Sequence, residues 1–137
     1  MHHEIHPNAS PATIELHNHI KDALINSFGD DITGSQIDYD FPVFSVAKNR
    51  IHDVLEFLKN HNDLGFTFLT TMCGVHYPNH TGQEFALVYQ LHNMEKNRRV
   101  RIKTFMADKD MNVPTATDLW LGANWMEREA FDFYGFR

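Results

Sequence analysis

Phe85-Ala86-Leu87-Val88-Tyr89-Gln90-Leu91-His92, followed by Asn93-Met94-Glu95-Lys96-Asn97-Arg98 and then Arg99-Val100-Arg101-Ile102-Lys103, holds two strands and the turn that joins them. Phe85, Leu87, Tyr89 and Leu91 alternate with Ala86, Val88, Gln90 and His92, the period of two expected of a half-buried strand. Glu95-Lys96-Asn97 supplies a turn, after which Val100 and Ile102 point inward and Arg99, Arg101 and Lys103 outward. The result is a hairpin with one basic face. Lys96, Arg98, Arg99, Arg101 and Lys103 fall within eight positions, and the ordinary expectation for such a run is a solvated strand face.

Upstream, a polar, flexible tail to Ser10 gives way to a helix over 11–28, with Pro11 in its first turn and Leu16, Ile20, Ala23, Leu24 and Phe28 as its buried stripe. Gly29-Asp30-Asp31 ends that helix. Ile32 to Val46 suits one or two short strands interrupted by Pro42. A second helix from Lys48 or Asn49 to Asn60 presents Ile51, Val54, Leu55 and Leu58 at i, i+3, i+4 and i+7. Phe66 to Val75 reads as a strand, and Tyr77-Pro78-Asn79-His80-Thr81-Gly82 as the loop into the hairpin. After Val113-Pro114, Thr115 is placed to cap a third helix, with Asp118 completing a capping-box-like start. Strands clustered between helices, joined by hairpins rather than strict alternation, predict an α+β two-layer sandwich. Its helices pack on one face of a mixed, largely antiparallel sheet. Residues 1–10 form the tail and residues 11–137 a single domain ending in that third helix.

The length of 137 residues suits one core, and 42% hydrophobic with 22% charged residues is ordinary globular composition. A formal charge of -6 argues against a general nucleic-acid binder. No apolar run approaches the ~20 residues needed to span a bilayer, and the first residues lack the basic and apolar regions of a signal peptide, so a soluble cytoplasmic chain is expected. One cysteine, Cys73, excludes an internal disulfide and any iron–sulfur cluster held by this chain alone.

Cys73, His76 and His80 form a C-x2-H-x3-H string that suits zinc only if a fourth ligand, His92 or Glu84, is brought in by the fold. The competing reading is a turn with exposed histidines. His17 and His19 lie on different faces of their helix, and His2, His3 and His6 belong to the tail. The glycines make neither a dinucleotide turn nor a phosphate loop, and no Ser or Cys has a recognisable paired base.

At the C-terminal end Trp120, Trp125, Phe131, Phe133, Tyr134 and Phe136 crowd into the last 18 positions. On a helix Leu119, Ala123, Met126, Ala130 and Phe133 share one stripe, the face expected against the core. Leu121, Trp125, Arg128 and Asp132 fall opposite, with Trp120, Glu127 and Phe131 on a flank. Trp and Arg there resemble interface anchors. The alternative is a helix sandwiched within its own domain, with Arg128 and Asp132 as an i, i+4 pair worth only ~0.2–0.5 kcal/mol. Glu127, Glu129 and Asp132 read as ion-pairing groups at least as well as acid–base carboxylates.

Trp125-Met126-Glu127-Arg128-Glu129, followed by Phe131-Asp132-Phe133-Tyr134-Gly135, resembles the signature of the thirty-kilodalton (C) subunit family of respiratory complex I. The upstream order is similar too: Leu69-Thr70-Thr71 before Cys73-Gly74-Val75-His76-Tyr77-Pro78, then Val88-Tyr89-Gln90-Leu91, a basic strand and Val113-Pro114-Thr115. The likeness covers the chain from about Phe41 onward. It departs where the family continues into a Gly-His-Pro stretch and a basic tail while this sequence stops at Arg137, so the docking tail is expected to be missing, through truncation.

The resemblance implies a subunit without catalytic residues or a redox centre of its own, on the cytoplasmic side of the bacterial inner membrane, bracing the subunits that carry the quinone site and terminal iron–sulfur cluster. NADH, FMN, iron–sulfur clusters and quinone belong to other subunits of an assembly that couples electron transfer to ion translocation. Carried over onto matching positions, Trp125, Glu127, Arg128, Glu129, Asp132, Tyr134 and Gly135 become the partner interface. Trp125 and Arg128 would anchor it, Glu127 and Glu129 would pair with partner cations or with Arg99, Arg101 or Lys103, and Gly135 would let the chain turn. The isolated fragment is expected to self-associate through an uncovered patch. Two alternatives stand beside this: the equivalent domain of a membrane-bound nickel–iron hydrogenase, and a free-standing metal-binding protein using Cys73, His76 and His80.

Overall fold

A computed structural model describes residues 2–5, 10–38, 41–77, 83–106 and 119–120. Among these, six strands form one mixed sheet: β1 (His2–Ile5), β2 (Ile32–Asp38), β3 (Phe41–Val46), β4 (Phe68–His76), β5 (Phe85–Asn93) and β6 (Arg98–Met106). Their spatial order is β1-β2-β3-β6-β5-β4. The pairs β2/β3, β4/β5 and β5/β6 are antiparallel, whereas β1/β2 and β3/β6 are parallel. Helices α1 (Pro11–Phe28) and α2 (Ile51–Asn60) share one hydrophobic cluster with a single face of the sheet, the α+β sandwich expected from strands clustered between helices and joined by hairpins.

Helix α1 begins where a serine precedes a proline. The Ser10 hydroxyl accepts the Thr13 N–H at 3.2 Å, and Pro11 fills a first-turn position that needs no donor. It ends at Gly29, which takes φ 56° and donates its N–H to the Ile25 carbonyl. Helix α2, preceded by a short 3-10 turn at Lys48–Arg50, buries all four residues of its stripe, Ile51, Val54, Leu55 and Leu58. At about 1.5–3 kcal/mol for each such side chain withdrawn from water, this stripe alone outweighs the helix's modest intrinsic propensity.

The sheet register assembles the core in rows. Phe44, Ile102, Tyr89 and Met72 are direct neighbours across β3, β6, β5 and β4, and all four are buried against the helices. Val100, Leu91 and Leu69 make a second row. The fully buried Phe66 is not part of a strand. Gly65 at φ 51° turns the chain out of α2, the Phe66 N–H donates to the Leu58 carbonyl, and the strand begins only at Phe68.

Four expectations change. His2–Ile5, expected within a flexible tail, pairs in parallel with Gly34–Ile37 as a sheet edge. The backbone hydrogen bonds of an extended segment do not require an apolar pattern. Strand β5 is buried on both faces rather than half buried, because it is an inner strand and Ala86 lies between Val75 and Phe105, whose ring meets Tyr77 at 5.7 Å. Leu119 sits in a turn and Trp120 outside regular structure, so a helix capped at Thr115 does not run through them. Trp120, expected on a flank among interface anchors, is buried in the chain's own core. The remainder of that helix lies outside the described residues.

Candidate functional site

Two places gather the chemistry-bearing side chains. The first lies at the tip of the β5–β6 hairpin, where the turn needs Asn97 at φ 51°. The Asn93 side chain, buried at the turn's base, donates to the Leu64 carbonyl at 2.8 Å and accepts the Lys96 N–H at 3.1 Å. It thereby ties the hairpin to the loop that follows α2. In that loop, the His61 Nδ1 accepts the N–H groups of Asp63 and Leu64 at 3.2 and 3.1 Å, which turns the Asp63 carboxylate outward.

Asp63 then bridges three elements. Its Oδ1 accepts from the Lys96 ammonium at 3.0 Å, and its Oδ2 from the His19 Nε2–H on α1 at 2.5 Å. Lys96 also donates to the Asp63 backbone carbonyl at 2.9 Å. The Lys96 hydrogen bond first, then that from His19, holds the Asp63 carboxyl down at about 2. The carboxylate is half exposed, so salt screens the pairing.

Around this bridge opens a cleft of about 820 Å3. Its walls are the first turns of α1, Asp63, the Lys96–Arg99 segment and Phe41. The guanidinium groups of Arg99 and Arg101 lie 5.9 and 5.3 Å from the centre of the Phe41 ring. Arg101 has Asp38 at 3.7 Å, a carboxylate at the end of β2. Glu127 and Glu129 lie outside the described residues.

The second place is an anchor at Leu119 and Trp120. The Trp120 indole N–H donates to the Thr67 carbonyl at 2.9 Å, and the Lys59 ammonium donates to the Leu119 carbonyl at 2.5 Å while standing 5.7 Å from the indole centre. The pair is pinned to the end of α2, immediately before the signature segment. Trp125, Glu127, Arg128, Glu129, Asp132, Tyr134 and Gly135 themselves lie outside the described residues.

Cys73 and His76 do not converge. The ladder from Cys73, opposite Val88, to His76, opposite Phe85, is regular, so residues three apart project from opposite faces of β4. His76 stacks on Phe85 with ring centres 4.7 Å apart. His92 lies four residues along β5 from the partner of Cys73, roughly 13 Å at ~3.3 Å per residue, and its Nε2–H donates to Asn97. His80 lies outside the described residues, among which no group of three or more His, Cys, Asp or Glu is placed to hold a metal ion. His17 and His19 do face apart: His17 is buried, stacked on Phe44 at 5.2 Å, and His19 reaches Asp63. Nothing in the spacing of His19, Asp63 or Lys96 announces the bridge, because its parts come from three separate elements.

Fold and site together define an α+β sandwich whose surface chemistry, among the described residues, includes ion pairs, guanidinium groups beside an aromatic ring and a pinned tryptophan. Residues 44–137 match the family model described as the respiratory-chain NADH dehydrogenase 30 Kd subunit, and the chain belongs to that family. It is 41% identical over 115 residues to the C 2 subunit of the NADH-quinone oxidoreductase of Rhizobium etli strain CIAT 652, covering 83% of this chain and 60% of the relative. The C subunit of the Erythrobacter litoralis oxidoreductase is 36% identical, over 85% of this chain and 45% of its own length. The chain thus spans about half of these curated relatives. A fused C/D subunit of Acinetobacter baylyi is 31% identical over 94% of this chain and 22% of the fusion. The fold is shared with the trypsin-resistant fragment of Nqo5, with a TM-score of 0.68 at 23% identity, covering 88% of this chain and 92% of that one. It is also shared with a chain of an archaeal membrane-bound sulfane sulfur reductase, with a TM-score of 0.72 at 24% identity over 90% and 69%. No helix among the described residues is long and apolar enough to cross a membrane.

Proposed function

We propose that this chain is a non-catalytic, peripheral subunit of an NADH-quinone oxidoreductase, on the cytoplasmic side of a bacterial inner membrane. It braces the neighbours that carry the quinone site and the terminal iron–sulfur cluster. The observation that carries this reading is the family match across residues 44–137, which includes the whole signature segment. The anchor at Leu119 and Trp120 adds a physical reason. A segment that starts from two hydrogen bonds and a buried indole enters an interface with part of its ordering entropy already spent.

In this role the chain makes and breaks no bond. NADH, FMN, iron–sulfur clusters and quinone are assigned to other subunits, and Trp125, Glu127, Arg128, Glu129, Asp132, Tyr134 and Gly135 to the contact with them. Burial of Trp125 and charge pairing by Arg128 supply its affinity, with the two glutamates fixing register. The fold shared with the sulfane sulfur reductase chain keeps a related respiratory membrane complex as a second reading. The 31–41% identity to quinone oxidoreductase subunits favours the first.

Co-purification from cells expressing tagged chain at native level tests the proposal. Wild type is expected to recover the other subunits with NADH:quinone activity, and Arg128→Glu to lose both while melting at the wild-type temperature. Recovery of the wild-type chain alone would overturn it.

A further inference from the structure

We infer that the cleft at the hairpin tip is a docking site for an acidic segment of a neighbouring subunit, with carboxylates received by Arg98 and Arg99. This rests on the reading of the chain as an assembly subunit but concerns a surface distant in sequence from its signature segment.

The argument begins with charge. Lys96, Arg98, Arg99 and His19 line the cleft, against the acids Asp63 and Glu15. Both carboxylate oxygens of Asp63 are engaged, one by Lys96 and the other by His19. Among the described residues Arg98 and Arg99 have no carboxylate partner, and the Arg98 Nη1 is shielded from water without a hydrogen bond. Arg99 is exposed in the cleft, so its guanidinium is open to an arriving acceptor, and Arg98 beside it adds positive charge.

The second argument is order. Arg99 lies over Phe41 at 5.9 Å, sharing the ring with Arg101. A guanidinium drawn to the ring by cation–π attraction is partly ordered, so less rotamer entropy is lost when a carboxylate binds its N–H groups. The backbone beneath is equally fixed, through Asn93 to Leu64 and Lys96 to the Asp63 carbonyl. The chain charge of -6 repels every polyanion at long range, so the occupant is short and held by the local field of Arg98 and Arg99, with planar carboxylates matching the guanidinium edge.

The test has two arms on the whole chain. Amide NMR shifts are followed during titration with a hexaglutamate peptide. Saturable shifts at Thr13, Lys96, Asn97 and Arg99 are expected, weakened about tenfold by Arg99→Glu and abolished in about 1 M salt, where the screening length is about 3 Å. Co-purification at native level then compares wild type with Arg99→Glu, whose melting temperature verifies its fold. Reduced recovery of partner subunits in the variant supports the inference.

No shifts at these residues, tighter binding of an oligothymidylate than of the peptide, or full partner recovery by Arg99→Glu would each overturn it. Wild-type recovery of the partners in those cases leaves the assembly reading standing. If even wild type recovers none, the assembly reading falls and this inference with it.

Discussion

Phe44, Ile102, Tyr89 and Met72 cross the sheet in one row; Val43, Arg101, Gln90 and Thr71 cross the same four strands one residue away. The first row is buried throughout, whereas in the second only Val43 is buried, Arg101 and Gln90 are half buried and Thr71 is exposed. A step of one residue reverses the face, so register alone decides which side chains close the core and which remain for charge pairing. On the first face energy comes from area. Across the second and at the hairpin tip it comes from a few hydrogen bonds among groups that water and salt still reach.

That contrast predicts a graded response to substitution. Leu58→Ala, at a fully buried site beneath the first row, is expected to cost ~2–5 kcal/mol in chemical denaturation. A cost below ~1 kcal/mol would mean that the helix layer is loosely packed. Trp120→Phe removes the donor to the Thr67 carbonyl and is expected to cost ~1–3 kcal/mol. Its effect on partner recovery should exceed that of Leu58→Ala at equal stability, because it also frees the signature segment. Gly65→Ala places a side chain at φ 51° with its Cβ 3.3 Å from the Asn93 Nδ2, for an expected cost of ~1–2 kcal/mol in the same assay.

The smallest effect belongs to the charged bridge. The Asp63 carboxyl sits at about 2 in the folded chain, below its ordinary value of ~3.9 when unfolded, so its contribution is complete above about pH 4 and disappears as pH falls towards 2. Thermal melts of wild type minus Asp63→Asn should show a small difference that vanishes across that window and shrinks in high salt. A difference that grows on acidification would contradict the bridge.

The core is legible in the sequence because period-two and 3.6-residue patterns report area directly: Leu87, Tyr89, Val100, Ile102, Val54 and Leu58 all read as inward and all are buried. The hairpin-tip bridge is not legible, since His19, Asp63, Asn93 and Lys96 are joined by tertiary approach and no local spacing encodes it. Trp120 is misplaced by a helix projection because the backbone at that position is not helical. The N-terminal strand escapes a pattern search because a polar edge strand has no apolar signature.

A photoreactive phenylalanine analogue at position 125, irradiated in intact membranes, tests the central claim most directly. The account predicts a cross-link to another subunit of the quinone oxidoreductase. Cross-links confined to this chain's own helices and sheet would show a terminal segment sandwiched within its own domain, and would contradict the scaffold role.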